Sequence, residues 1–258
     1  MIASPLSIVH QTSGLLFIDK PPGLSFHASA EGDPGVLPLL REQIDDERLY
    51  SVHRLDRVTS GLLMITRSAE AASAVGTLLR EHRIHKYYVA LSARKPKKKM
   101  GSIVGDMERS RRGSWKLLRS TERPAATSFI TQSVADGSDD AALRAFLLKP
   151  RTGRTHQLRV AMKALGSPIL GDGLYAAAAD AAQEERAYLH ASALRIPAGH
   201  AALSEGGEPI DVILRPNAGA AFATDGFQSA WDAWFDDCQL GSGDEWFGGT
   251  PVASRGIK

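Results

Sequence analysis

Short apolar segments rich in β-branched and aromatic residues, separated by Gly, Pro and Asp turns, constrain the fold of this chain most strongly. Residues 85–92 ("HKYYVALS") form one such segment, and 126–134 and 142–150 form a pair across the turn Asp136-Gly137-Ser138-Asp139. Segments of this kind predict strands, and two joined by so short a turn predict an antiparallel pair. Further strands are predicted in 14–20, 61–66, 188–196 and 209–216.

Helical spacing is confined to fewer places, which are 34–44, 69–83 and a segment from Thr155 onward. Ser68 is placed to cap the second helix. In the third, Leu158, Met162 and Leu165 form one apolar stripe and Gly166 ends it. Because strands outnumber helices and are often joined as hairpins, we predict an α+β fold with a mixed, mostly antiparallel sheet and flanking helices.

Length and composition predict a cytoplasmic globular protein. The 258 residues can bury a sizeable core, and no apolar run approaches the roughly 18–20 residues that span a bilayer. The N-terminus lacks the pattern of a secretory signal, and the single Cys238 cannot form an internal disulfide.

Charge is distributed unevenly along the chain. Residues 218–258 carry six acidic and two basic side chains, so the net charge of +2 leaves +6 on residues 1–217. A basic body fits a polyanionic partner, although the same charge is common on other proteins. We predict two parts, a body of residues 1–217 and an acidic C-terminal extension of residues 218–258. The extension is read as a short amphipathic helix with a partly disordered end; alternatively its Trp and Phe residues dock on the body or on a partner.

Three clusters of polar residues are candidates for chemistry. They are "HRLDRVTSG" (53–61), "KYY" (86–88) and "GRTHQLR" (153–159). Each has an ordinary structural interpretation, because Arg–Asp pairs, strand tyrosines and helix caps are common in proteins without a site there.

Together, the three clusters resemble the motifs of the RluA-type pseudouridine synthases. "FIDKPPGLSFH" and "LHASAL" match further family segments, and the resemblance runs from about residue 14 to about residue 216. It implies the pseudouridine synthase fold, with a central cleft in the sheet. It also implies an isomerase that converts uridines in rRNA or tRNA to pseudouridine with no metal and no cofactor.

The resemblance also assigns roles to single residues. Asp56 matches the catalytic aspartate, a residue type that serves as a covalent catalyst at glycosidic carbons elsewhere. Arg159 matches the arginine that pairs with the aspartate and orients it. Tyr88 matches the tyrosine that stacks on the flipped base and can carry a proton.

Other residues are predicted to bind substrate or support the site. Arg54 matches an arginine that fills the gap left by the flipped nucleotide, and Lys86, Arg154 and His156 are candidates for phosphate contact or for site support. Ala161 stands where many relatives have a histidine. Many relatives also carry an N-terminal S4 module, whereas here the resemblance begins almost at once, so we expect target choice to rest on the catalytic domain.

A basic insert follows the second cluster. Residues 93–100 and 108–119 concentrate Lys and Arg around Trp115, which predicts either a hairpin or a mobile loop. Its cations are interpreted as a phosphate-binding surface, with a solvated charged loop as the alternative. Trp115 either stacks on a base or packs inside the hairpin. His82 and His85 have no nearby cysteine or carboxylate cluster, so a zinc site is not expected.

Two other functions compete with the isomerase. A non-catalytic RNA-binding or RNA-folding factor would need the basic body but not Asp56, Tyr88 and Arg159. A carbohydrate hydrolase would need paired carboxylates, and the three clusters hold no second acid. We expect a monomer, since a single cleft needs no partner chain.

Overall fold

The predicted strands assemble into one large sheet. The computed structural model describes residues 5–235, apart from 29–31, 33 and 135–142. The strands are β1 (Ser7–Gln11), β2 (Leu15–Lys20), β3 (Tyr50–Ser51), β4 (Ser60–Thr66), β5 (His85–Ser92), β6 (Met100–Gly105), β7 (Met107–Arg109), β8 (Trp115–Leu117), β9 (Ala125–Ser133), β10 (Arg144–Pro150), β11 (Leu189–Ile196) and β12 (Ile210–Ile213). The helices are α1 (Val36–Ile44), α2 (Ala69–Arg80), α3 (Gln157–Ala164), α4 (Ala178–Ala181) and α5 (Asp225–Phe235).

The sheet is mixed and mostly antiparallel, as the sequence predicted. Its order is β1-β2-β4-β11-β5-β10-β9-β6, with β12 added to β11 and β3 added to β4. Among the described strands only β4 and β11 run parallel. Strands β9 and β10 pair antiparallel, with Arg144 opposite Ser133, as predicted. The turn predicted at 136–139 lies outside the described residues.

Some local predictions are confirmed and others are corrected. Ser68 caps α2 by accepting a hydrogen bond from Ala71 N–H at 3.0 Å. Helix α3 begins at Gln157 rather than Thr155, because His156 has a φ of 58° and cannot be a helical residue. The short strands β1 and β3 were not predicted. Both are largely exposed, so they lack the buried apolar run on which a strand prediction depends.

The basic insert forms a hairpin rather than an unstructured loop. Strand β6 extends the large sheet alongside β9, and β7 pairs with β8 in a separate two-stranded sheet. Residues 93–119 are called the basic arm below.

The centre of the sheet has two faces that differ in what covers them. Tyr88, Ala90, Phe146 and Leu148 point to the cleft face, where Leu158 and Met162 of α3 pack. The alternating residues of β5 and β10 point to the opposite face, called the α5 face; they are Tyr87, Val89, Leu91, Ala145 and Leu147. Strand geometry separates the two sets, since successive side chains point to opposite sides of a sheet.

Helix α5 closes the α5 face with aromatic side chains. Trp231 is 1% exposed, and Phe227, Trp234 and Phe235 are also buried in the same cluster. The extension therefore contains the short amphipathic helix of the first interpretation, and the aromatic residues of this helix dock on the body, as in the second. The partly disordered end of the first interpretation lies outside the described residues. Trp246 and Phe247 lie outside the described residues, and the division at 217/218 stays a prediction.

Within the described parts of the chain, every helix is too short or too polar to span a bilayer.

Candidate active site

The loop between β3 and β4 presents Asp56 at the wall of a cleft with a volume of about 500 Å³. The Asp56 side chain is 19% exposed, so its carboxylate is shielded yet reachable. Thr59 N–H donates to the Asp56 carbonyl at 3.0 Å, which closes a tight turn before β4. The structure therefore places the predicted catalytic residue where a ligand in the cleft can contact it.

A neighbouring turn holds this loop in place. Gly23 N–H donates to the Arg57 carbonyl at 2.8 Å, and Arg57 Nε donates back to the Gly23 carbonyl at 2.9 Å. Lys20 is fully buried, and its ammonium donates to the carbonyls of Pro21, Leu24 and Arg57. The sequence analysis assigned no role to Lys20, although it opens the "KPPG" turn. A buried ammonium costs folding free energy unless its N–H groups are hydrogen-bonded. The three hydrogen bonds therefore hold Lys20 and the backbone of both turns in one arrangement.

Gly61 lets β4 approach β11 directly after this loop. Its φ is 101°, and a Cβ at this position would lie 2.3 Å from the Ala191 carbonyl oxygen. The glycine of "TSG" is therefore required by a close backbone contact.

Arg159 connects Asp56 to a second carboxylate that the sequence analysis did not single out. Arg159 Nη1 lies 3.5 Å from Asp56 Oδ2. Its Nε and Nη2 donate to the two oxygens of Asp172 at 2.7 and 2.8 Å. Burial alone disfavours the charge on Arg159, but the bonds to Asp172 and the charge of Asp56 outweigh it and raise the pKa of the guanidinium. Arg159 thus stays charged and oriented by Asp172, with one nitrogen left for Asp56.

Asp172 is a structural partner rather than a free acid. Its side chain is 1% exposed, and Oδ1 also accepts a hydrogen bond from Leu174 N–H at 3.0 Å. It does not line the cleft. A paired-carboxylate hydrolase needs two acids facing one substrate, so Asp172 adds no support for that function.

Tyr88 lines the cleft from the middle of β5. Burial, and to a lesser degree the charge of Asp56, raise the pKa of the Tyr88 hydroxyl above its ordinary value. The side chain is therefore a neutral phenol at physiological pH, with an aromatic face and one exchangeable proton.

Lys86 and His53 flank Tyr88 in the cleft wall. Burial lowers the pKa of Lys86, and Lys86 has no ion pair among the described residues. His53 Nε2 accepts a hydrogen bond from Met64 N–H at 2.9 Å. Burial, with a smaller effect of Lys86, lowers the pKa of His53 to about 3. His53 is thus a neutral supporting residue, whereas Lys86 is a cation facing the cleft.

The segment before α3 brings the remaining predicted residues to the cleft. Arg154 is exposed, and its Nη2 donates to the Arg123 carbonyl at 3.4 Å. Gln157 is buried: its Oε1 accepts hydrogen bonds from Arg154 N–H and the Thr152 hydroxyl, and its Nε2 donates to β9 at Ala126 and Thr127. The "THQ" start is therefore an anchor to β9, whereas the N-cap residue His156 makes no side-chain capping hydrogen bond.

His156 and Tyr175 join the site to the basic arm. The Tyr175 hydroxyl lies 2.9 Å from His156 Nδ1 and accepts a hydrogen bond from Trp115 N–H at 2.9 Å. The Arg159 guanidinium lies 4.9 Å from the centre of the Tyr175 ring. Burial lowers the pKa of His156, with Asp56 acting in the opposite direction. The sequence analysis did not find Tyr175, because its partners lie in three separate segments.

Arg54 stands exposed at the mouth of the cleft. Unlike Arg159, it makes no ion pair with any described residue. The structure thus gathers Asp56, Tyr88, Arg159, Arg54, Lys86, Arg154 and His156 around one cleft. Among the described residues, no group of three metal-ligating side chains comes together.

Comparison with known proteins accounts for this arrangement. Residues 14–164 match the family model described as RNA pseudouridylate synthase. The chain belongs to this family. It is an RNA pseudouridine synthase, an intramolecular isomerase, and the resemblance in its three clusters is confirmed.

Three relatives illustrate the match. An uncharacterised RNA pseudouridine synthase of Haemophilus influenzae is 49% identical over 73% of this chain and 81% of its own length. The dual-specificity RNA pseudouridine synthase RluA of Escherichia coli is 34% identical over 74% of this chain and 86% of its own length. The solved structure of human RNA pseudouridylate synthase domain containing 1 superimposes with a TM-score of 0.67 at 27% identity, covering 84% of this synthase and 85% of that chain.

Proposed function

We propose that this synthase isomerises uridines of ribosomal RNA, transfer RNA or both, with Asp56 as the catalytic carboxylate. The observation that supports the proposal is the Asp56–Arg159–Asp172 arrangement at the wall of a cleft that also presents Tyr88. Ribosomal and transfer RNA are the candidate classes that the family resemblance implies.

The reaction exchanges bonds within one nucleoside. The N1–C1′ bond breaks, the uracil turns, a C5–C1′ bond forms, and the proton leaves C5 while N1 gains one. Atoms and charge balance without an added reactant. Asp56 acts on the sugar or on the base, and the Tyr88 phenol stacks on the uracil and is placed to pass the proton.

Arg159 acts in this proposal by holding Asp56. The two hydrogen bonds to Asp172 set the position of the Arg159 guanidinium. The Asp56 carboxylate therefore faces a guanidinium with a fixed orientation. Preorganised charges of this kind are among the largest contributions to enzyme catalysis.

The cations around the cleft bind the RNA backbone. Of these cations, Arg54, Lys86 and Arg154 lie nearest the cleft, and the basic arm adds exposed Lys and Arg side chains beside it. His156 also lines the cleft, but burial lowers its pKa, so it contacts the RNA as a neutral hydrogen-bonding group. If six of these cations neutralise phosphates, log affinity falls with log salt concentration with a slope of about −4 on single-stranded RNA. All these residues come from one chain, which supports a monomer, and we place the synthase in the cytoplasm.

The deciding experiment compares the wild type with Asp56→Asn on total tRNA and rRNA, with pseudouridine mapped at nucleotide resolution. We expect the wild type to form pseudouridine at defined sites and Asp56→Asn to form none while still binding RNA. Asp180→Asn, the same change at an exposed acid paired with Arg94 at 3.9 Å, is the matched control and should remain active. Product from Asp56→Asn would remove Asp56 from the chemistry. Rescue of a deletion phenotype by Asp56→Asn would favour the RNA-folding factor instead.

A further inference from the structure

A second, smaller hollow lies beside the catalytic cleft. Its volume is about 250 Å³, and it shares Arg54, Leu55, Asp56, His156 and Arg159 with the cleft. Its other walls come from Ser25, Phe26, His27, Arg57 and Val58. Because the two cavities meet at Asp56, a polymer with one unit in the cleft has its next unit at the hollow.

The rim of the hollow favours an anion. Three guanidinium groups line it, from Arg54, Arg57 and Arg159, against the single carboxylate of Asp56. Arg159 is already held by Asp172 and Asp56, and Arg57 Nε is held by the Gly23 carbonyl. Arg54 has no such partner among the described residues. Arg54 and the terminal nitrogens of Arg57 therefore suit a phosphate, with which guanidinium groups form paired hydrogen bonds.

The interior of the hollow favours a flat ring. Phe26 is 6% exposed and forms part of the apolar wall, whereas His27 is exposed. The two rings meet edge to face with centres 4.8 Å apart, which steadies the imidazole although it faces solvent. Histidine and other aromatic side chains are surfaces on which unpaired RNA bases stack.

We propose that this hollow binds the nucleotide next to the target uridine in the same RNA strand, with its phosphate against Arg54 and Arg57 and its base against His27. The inference rests on the proposed function and goes further, because it places part of the choice of target in the neighbouring nucleotide. Residues of the "FIDKPPGLSFH" segment thereby gain a role in recognition beyond holding the Asp56 loop.

The test measures binding, so it does not depend on turnover. The probe is a labelled pentaribonucleotide with a central uridine, followed by fluorescence anisotropy, and the parent protein is Asp56→Asn. We expect His27→Ala to weaken binding at least about five-fold, the lower end for loss of one stacked base. An abasic site on one side of the uridine should weaken binding to the parent by a similar factor. The same abasic probe should bind His27→Ala as tightly as the intact probe does.

The control is His10→Ala, since His10 also packs against a phenylalanine ring but lies on strand β1 away from the cleft. It should bind every probe as the parent does. The proposal is overturned if His27→Ala binds the intact probe as tightly as the parent does. It is also overturned if an abasic site on either side of the uridine weakens binding to His27→Ala as much as it weakens binding to the parent. If the wild type forms pseudouridine, either outcome would overturn only the proposal that the hollow binds the neighbouring nucleotide. Absence of product in any RNA would overturn the proposed function instead.

Discussion

The two faces of the central sheet use the same strands for different purposes. On the cleft face, apolar packing against α3 is accompanied by buried charge interactions, in which Arg159 is held by Asp172 and reaches Asp56. On the α5 face, Tyr87 and Val89 pack against the aromatic side chains of α5, including Trp231. Adjacent residues of strand β5 thus face the cleft and the aromatic cluster of α5 separately. Substitutions on the cleft face should therefore lower kcat as well as stability, whereas substitutions on the α5 face should lower stability alone.

The largest effect is expected for Asp172→Asn. This change leaves a buried guanidinium without its charged partner, which costs about 3–5 kcal/mol of unfolding free energy. It also frees Arg159 to move, and a displaced catalytic group costs about 100-fold in kcat. Urea unfolding and single-turnover kinetics measure the two effects.

The exposed pair Arg195–Asp211, at 2.8 Å, provides the matched control. Asp211→Asn should cost no more than about 1 kcal/mol, because exposed ion pairs contribute little, and should leave kcat unchanged. An Asp172→Asn variant with full kcat would show that Asp56 does not depend on this pair.

On the α5 face, Trp231→Ala should reduce stability without changing the chemistry. Removing this buried ring leaves a cavity and costs about 3–5 kcal/mol of unfolding free energy. Below the unfolding temperature, kcat should match that of the wild type, because the hydrophobic cluster around Trp231 shares none of its described residues with the cleft wall. A drop in kcat comparable to that of Asp172→Asn would mean that the two faces are not independent.

Each face also carries one histidine with a strongly lowered pKa, which predicts a shared response to pH. His53 lies on the cleft side, and His190 is hydrogen-bonded to Ser60 and to the Leu214 carbonyl near Phe222. Burial is the main cause that lowers the pKa of each to about 3.

An unfolded histidine titrates near 6.5, so below this pH the unfolded chain binds protons that the folded protein excludes. The stability from these two sites is present above pH 6.5 and is lost as pH falls from there toward 3. The unfolding free energy should fall by up to about 2.7 kcal/mol per pH unit near pH 5. Urea unfolding between pH 7.5 and 5 measures it, and a flat profile would contradict the buried, neutral state of both rings.

The smallest effect is expected for Tyr175→Phe, which tests whether the cleft depends on the basic arm. The change keeps the ring over Arg159 but removes the hydroxyl between His156 and Trp115. Of the two hydrogen bonds lost, the one to His156 reaches the cleft, and its loss costs about 1 kcal/mol. We expect kcat to fall about five-fold. Tyr50→Phe, at an exposed tyrosine, is the control, and an unchanged kcat in Tyr175→Phe would show that the arm does not position the site.

The fold was predictable where elements carry their own local signals. Strand β5 and helix α2 combine a regular apolar pattern with clear starts. Strand β5 has its predicted bounds, whereas α2 begins at Ala69 as predicted but ends at Arg80 rather than at residue 83, because His82 has a φ of 57°. Strand β1 was missed because its residues are mostly exposed and show no buried apolar pattern. Its strand conformation comes from backbone pairing with β2. The start of α3 was misplaced because the left-handed conformation of His156 depends on its contacts with Tyr175, which no local pattern encodes.

The sequence by itself determined the reaction class, because "HRLD", "KYY" and "GRTHQLR" carry side chains that identify the family. It also determined most of the strands and helices, since their periodicity is local. The family resemblance already paired Arg159 with Asp56, but only the tertiary structure showed that Asp172 holds Arg159 in place. Arg159 lies 103 residues away from Asp56 along the chain, and the buried Asp172 that orients it lies beyond the helix that carries it. Contacts across such separations arise from packing of the sheet and its helices, so they become visible only once the chain is folded.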